Sequence, residues 1–189
     1  PPTPEALRAP SPPRQLGPAD LVALRAAPGA PGRRHLAALC RADRRLAPVT
    51  LAAEFRESAQ QSGDRLLSLQ CEIRDEQFLE TYAERVGDGD APGNYAVVLG
   101  VATAIAGIDE REACLLSCHG FVTGLLGAAQ RLLSLGHTDA QRILDALKPV
   151  MTAAIDDSAD RAVDEMTPFA PLVDVLAAEH ERAERRLFA

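Results

Sequence analysis

The sequence predicts an all-α single domain, a bundle of about seven helices around one buried central helix. Three observations predict it. Apolar residues make up 47% of the 189-residue chain but aromatic residues only 4%, tryptophan is absent, and alanine and leucine dominate the apolar set; such text favours helix over sheet. Apolar positions recur at spacings of three and four along most of the chain, as one helix face requires. No stretch alternates apolar and polar residues between hairpin turns. A chain of this length can bury a core without disulfide staples.

Taken in order, residues 1–34 hold most of the prolines and show no sustained period, which predicts a Pro-rich, poorly ordered N-terminal segment. Within it Asp20 can cap a short helix reaching about Ala27. Residues 35–189 then read as one helical domain. His35 to Leu46 carries Leu36, Leu39 and Cys40 at helical spacing until Pro48 interrupts it. Thr50 can cap the next helix, whose apolar set is Leu51, Phe55 and Ala59. An isolated Gly63 interrupts or thins that helix, and Leu66, Leu67, Cys71, Phe78, Leu79 and Tyr82 carry it towards Val86. Gly87-Asp-Gly-Asp-Ala-Pro-Gly93 is a loop.

Asn94 caps the next helix, Tyr95 to Ala106, which Gly107 ends; it is apolar nearly all round, as a helix buried on every side would be. Gly100 and Ala104 on it, with Gly120, Gly124 and Ala128 on the helix after it, form small-residue ridges that let two backbones approach. Asp109 with Glu112 starts that following helix, and Leu115, Cys118, Val122, Leu125, Ala129 and Leu132 repeat at helical spacing. Gly136 supplies a left-handed stop, and Thr138 with Gln141 makes a capping box for another helix through Ile143, Leu147, Val150, Met151, Ala154 and Ile155. Asp156 to Met166 is a helix end and connection. Pro171 suits the first turn of a last helix, which ends in the charged run Glu179 to Arg186, followed by Leu187-Phe188.

The formal charge of −7 and pI near 5.1 argue against a nucleic acid or an anionic membrane as the main partner. Four scattered cysteines (Cys40, Cys71, Cys114, Cys118) point to a reducing, cytoplasmic compartment. The longest apolar run, Tyr95 to Ile108, is shorter than the roughly 20 residues of a membrane helix. In Cys114-Leu-Leu-Ser-Cys-His119 the two thiols share a helix face, and with an imidazole they are candidate zinc or nickel ligands, either in a metal-binding protein or in a thiol enzyme. His119 points about 100° away from Cys118, however, so small buried thiols are favoured over a metal site. His137 reads as part of a structural turn, His35 has no ligand cluster around it, and His180 with Glu181 lies in a run of charges. Phosphate-loop, nucleophile-elbow, zinc-protease and Cys-x-x-Cys patterns are all missing, which favours a binding or scaffold protein over an enzyme.

Several separated motifs then occur in one order: Arg131-Leu-Leu-x-Leu-Gly-x-Thr-Asp-x-Gln-Arg142, Leu147-x-Pro149, Phe169-x-Pro171 with Asp174, His180-Glu181, and the terminal Arg186-Leu187-Phe188. In these the chain resembles the UreF family of urease accessory proteins, and Asn94 to Gly107 and the helix of His119 are similar to its middle portion. The family's opening Leu-Pro-x-Gly segment has no counterpart before Leu51. The resemblance implies a non-enzymatic, homodimeric helical scaffold that bridges UreD (UreH in some systems) and the nickel-carrying GTPase UreG during nickel delivery to apo-urease. Nickel and GTP would be handled by those partners, so no cofactor or metal is expected on this chain. It further implies that the tail, His180, Glu181, Arg186, Leu187 and Phe188, contacts a partner, since an apolar pair behind a guanidinium can fill a partner's pocket.

Overall fold

A computed structural model describes residues 18–26, 33–50 and 53–166. Among these, seven helices follow one another: α1 (Pro18–Arg25), α2 (Arg33–Val49), α3 (Ala53–Ile73), α4 (Gln77–Gly87), α5 (Tyr95–Ile105), α6 (Glu110–Leu132) and α7 (His137–Ala159), with a 3-10 turn at Val163–Glu165. The described residues contain no strand. The all-α expectation therefore holds, and α5 is the central helix: every residue from Ala96 to Thr103 is buried. Its one hydroxyl in that run, on Thr103, is satisfied by donating back to the carbonyls of Leu99 and Gly100.

Around α5 the apolar side chains form two clusters. One joins α2, α4, the loop residue Ala91 and Met166 through Leu39, Leu46, Leu79 and Tyr82 to Val97, Val98 and Val101 of α5. The other joins α6 and α7 through Cys114, Cys118, Val122, Leu144, Met151 and Ile155 to Leu99. Helix α1 contributes to both, with Ala19, Val22 and Ala23 in the first and Leu21 and Leu24 in the second. Arg25 fastens it: its guanidinium donates to Ser158 Oγ (3.2 Å) and to the Ile155 carbonyl (2.9 Å) on α7, and pairs with Glu110 of α6. Residues 18–25 lie inside the stretch that proline content marks as poorly ordered, yet this part is packed. Leu21, Val22 and Leu24 point to both sides of so short a helix, and both sides meet core.

Other boundaries differ from the sequence reading for identifiable reasons. Helix α2 runs through Pro48, because a proline in the last turn removes a single ladder bond just before the helix stops. Thr50 does not cap α3; its hydroxyl donates to the Leu46 carbonyl and its own N–H to the same oxygen, closing α2 instead. The single helix expected from Thr50 to Val86 is two, parted at residues 74–76. Gly63 neither interrupts nor thins α3. It is the crossing point of α3 and α5, where an added Cβ would stand 1.9 Å from the Gly93 carbonyl oxygen and 2.8 Å from the Tyr95 nitrogen. The 87–93 loop is as expected, turning on left-handed Gly89 and Gly93.

The α6–α7 junction is also built differently. Leu133 leaves α6 in extended conformation, and Gly136, with φ of −73°, is the extended N-cap of α7 rather than a left-handed stop. Thr138 therefore sits inside the first turn, and no capping box with Gln141 forms. Asp109 does cap α6, accepting from the Arg111 N–H at 2.9 Å.

Candidate functional site

The most ordered polar constellation lies where α2 and α4 meet the start of α5. Asp43 is fully buried, and its carboxylate accepts from the Tyr82 hydroxyl (2.7 Å), the Gly93 N–H (2.8 Å), the Asn94 N–H (3.0 Å) and the Asn94 side-chain amide (2.6 Å). The same amide also donates to the Asp43 carbonyl at 3.2 Å. The residue at the N-cap of α5 is Asn94, as expected, but its side chain caps nothing; a carboxylate from 51 residues upstream takes the orphan amides. Burial and the adjacent Asp43 carboxylate push the Tyr82 phenol far up. This network fixes the loop entering the central helix and leaves no open position for a substrate. Sequence reasoning missed it, although Asp43 lies three or four residues from Leu39, Cys40 and Leu46 and so on the buried face of α2.

The thiol and imidazole candidates do not converge. Cys114 and Cys118 are buried in the second cluster, and His119 is exposed. Burial pushes the Cys118 thiol up to about 11, and the neighbouring Cys114 adds to the effect. Cys114 is likewise raised by burial. Thiols held protonated in apolar surroundings are packing groups rather than ready metal ligands. His137 stands exposed at the junction, its Nδ1 3.0 Å from the Gln130 amide nitrogen. His35 is exposed on α2. The tail residues His180, Glu181, Arg186, Leu187 and Phe188 lie outside the described residues.

What the structure adds is a surface on α6. Of the six apolar positions the periodicity assigns to its core face, only Cys118 and Val122 are buried. Leu115, Leu125 and Leu132 are exposed, as are Leu116, Phe121 and Leu133. The buried face is narrower, Ala113, Cys114, Cys118 and Val122. The helix is apolar nearly all round, so spacing alone could not say which side turns inward. Among the described residues Gly120 and Gly124 serve no close approach: a Cβ built on either meets no atom of them within 4 Å. From Ala113 to Gln130 the helix carries no charged side chain, whereas Glu110, Arg111 and Glu112 stand at its start and Arg131 near its end. By length and composition alone this 23-residue helix is apolar enough to cross a membrane, which the sequence reading did not foresee. In this fold one side of it packs on α5 and α7.

The sequence profile of the UreF family matches residues 13–148. The match therefore begins well before Leu51, where the motif reading finds no family pattern, and stops short of the tail motifs. The urease accessory protein UreF of Trichodesmium erythraeum (strain IMS101) is 35% identical over 148 residues, 78% of this chain and 64% of that protein. Urease accessory protein UreF 1 of Brucella melitensis biotype 1 is 33% identical over 138 residues, 73% and 57% respectively. The UreF of Yersinia enterocolitica serotype O:8 is 31% identical over 151 residues, 80% and 66%. The chain thus spans about three fifths of the length of the curated relatives it matches. A family match that spans residues 13–148, a stretch that includes the central helix and the α6–α7 junction, shows that the chain belongs to the UreF family.

Proposed function

We propose that the chain is a non-enzymatic scaffold of urease maturation, a cytoplasmic homodimer that holds UreD (or UreH) and the GTPase UreG together while nickel passes to apo-urease. The observation that carries this reading is the long apolar face of α6 in a chain of this family. Phe121, Leu125 and Leu132 stand 53, 57 and 53% exposed along it. Contiguous exposed apolar surface marks a place where another protein sits. The polar constellation around Asp43, by contrast, is closed and structural. On this reading nickel and GTP stay with the partners, and the chain supplies surfaces.

The test is reconstitution of purified chain with UreD and UreG. The three are expected to co-purify, and deletion of Arg186 to Ala189 is expected to weaken the UreD complex at least about tenfold, the loss of a single buried apolar anchor. Failure of the full chain to bind either partner would overturn the scaffold. Undiminished binding after the deletion would remove the tail from the interface.

A further inference from the structure

We propose that the outer face of α2 seats an acidic segment of a partner protein, with carboxylates on Arg41, Arg44 and Arg45 and an apolar side chain in the cleft between α2 and α4. The inference rests on the scaffold reading for there being a partner, and adds a surface separate from α6 and from the tail. The three arginines are exposed, and at about 100° per residue they share one face with exposed Ala37 and Pro48. No ion pair among the described residues includes any of them. Arg44 donates to a main-chain oxygen, the Asp90 carbonyl. The one acid of α2, Asp43, is turned inward and committed to Tyr82, Gly93 and Asn94.

This pattern weakens the helix that carries it. Like charges three and four residues apart, as Arg44 and Arg45 are from Arg41, repel one another. The chain as a whole has a surplus of carboxylates, with a net charge of −7, yet none is spent on this face. An acidic visitor supplies what the protomer withholds.

Beside the arginines a cleft of about 570 Å³ opens between α2 and α4. Leu36, Ala37, Cys40 and Thr81 floor it, and Arg44 and Arg85 stand at its rim. On the α4 side Arg85 is already paired with Asp90 at 2.7 Å, and Glu84 and Asp88 are exposed nearby in sequence. The attraction for an anion therefore comes from α2 alone, which orients the occupant: carboxylates over α2, its uncharged side over α4. Arg41 and Arg45 stand about 6 Å apart along the axis, the step between carboxylates four residues apart on a second helix.

Other polyanions fit less well. Binding to duplex nucleic acid engages roughly 6–10 phosphates, and three arginines on an acidic chain fall short of that. A two-fold copy of the same face would set arginine against arginine.

The test is fluorescence anisotropy of the full chain with a labelled helical peptide bearing glutamates at steps of three and four and one leucine row. Binding in the range of roughly 10–100 μM is expected at low salt, weakening at least about fivefold as salt rises towards ~0.5 M. Arg41→Glu with Arg45→Glu is expected to weaken it at least about tenfold and, both sites being exposed, to keep the parent's helical circular dichroism. If that variant does not fold, Arg41→Ala with Arg45→Ala takes its place. The same peptide with lysine for glutamate is expected to ignore the parent and to bind the charge-reversed variant. No binding by the parent, or binding indifferent to both substitutions, overturns the proposal. So does tighter binding of a thymidine oligonucleotide of about 20 nucleotides or of vesicles with about 30% phosphatidylserine. Peptide binding without co-purification of UreD and UreG would leave this surface standing and sink the urease scaffold alone.

Discussion

Asp43 shows how one side chain can organise a fold without doing chemistry. Its carboxylate receives two main-chain amides, a phenol and a side-chain amide, all from residues 39 to 51 positions away. Each buried donor left without an acceptor costs roughly 1–3 kcal/mol. Asp43→Ala is accordingly expected to destabilise the protein by about 3–5 kcal/mol and Tyr82→Phe by only about 1–2, because the second change removes one donor and leaves the carboxylate three others. Urea denaturation of the two variants checks the order; equal losses would mean that the phenol rather than the main-chain amides carries the network. The spacing of Asp43 among Leu39, Cys40 and Leu46 put it on the buried side, but its charge and its arginine neighbours disguised it. Tyr82 was legible as an apolar core residue, and its hydroxyl partner was not, since that partner comes from another helix.

Among the elements, α3 and α6 use glycine in opposite ways, and nothing in their local sequence distinguishes them. At Gly63 the chain of α3 lies against the turn into α5 so closely that even a methyl group must displace backbone. Gly63→Ala is expected to cost at least about 2–3 kcal/mol despite the better helix propensity of alanine. Gly120→Ala, in open space, is expected to gain about 0.5–1 kcal/mol. Thermal melts of the pair decide the matter, and a stabilised Gly63→Ala would show that the crossing is looser than described. Most helices were readable from periodicity, α5 from its unbroken apolar run between Asn94 and Gly107, and the start of α6 from its Asp109 cap. Helix ends were less so: the fates of Pro48, Thr50 and Gly136 depend on where the next helix docks, which local propensity does not encode. The buried side of α6 was misassigned for the same reason, because a helix apolar all round carries no directional signal.

Across the whole molecule, α1 and α5 form the wall common to both apolar clusters. Leu24, 2% exposed, faces the cluster of α6 and α7, while its neighbours Val22 and Ala23 face that of α2 and α4. Leu24→Ala is expected to cost about 2–4 kcal/mol. Because the wall is shared, amide exchange should accelerate in α2 and α7 together; acceleration in α7 alone would mean that the clusters open independently. The overall class was legible from composition, and the family from separated motifs. The candidate surface was hidden because it is defined by what fails to pack. That surface has a consequence for supply. A copy with this ridge uncovered is expected to be cleared by chaperones and proteases faster than one whose ridge is covered, a difference in half-life that a pulse-chase measurement would read.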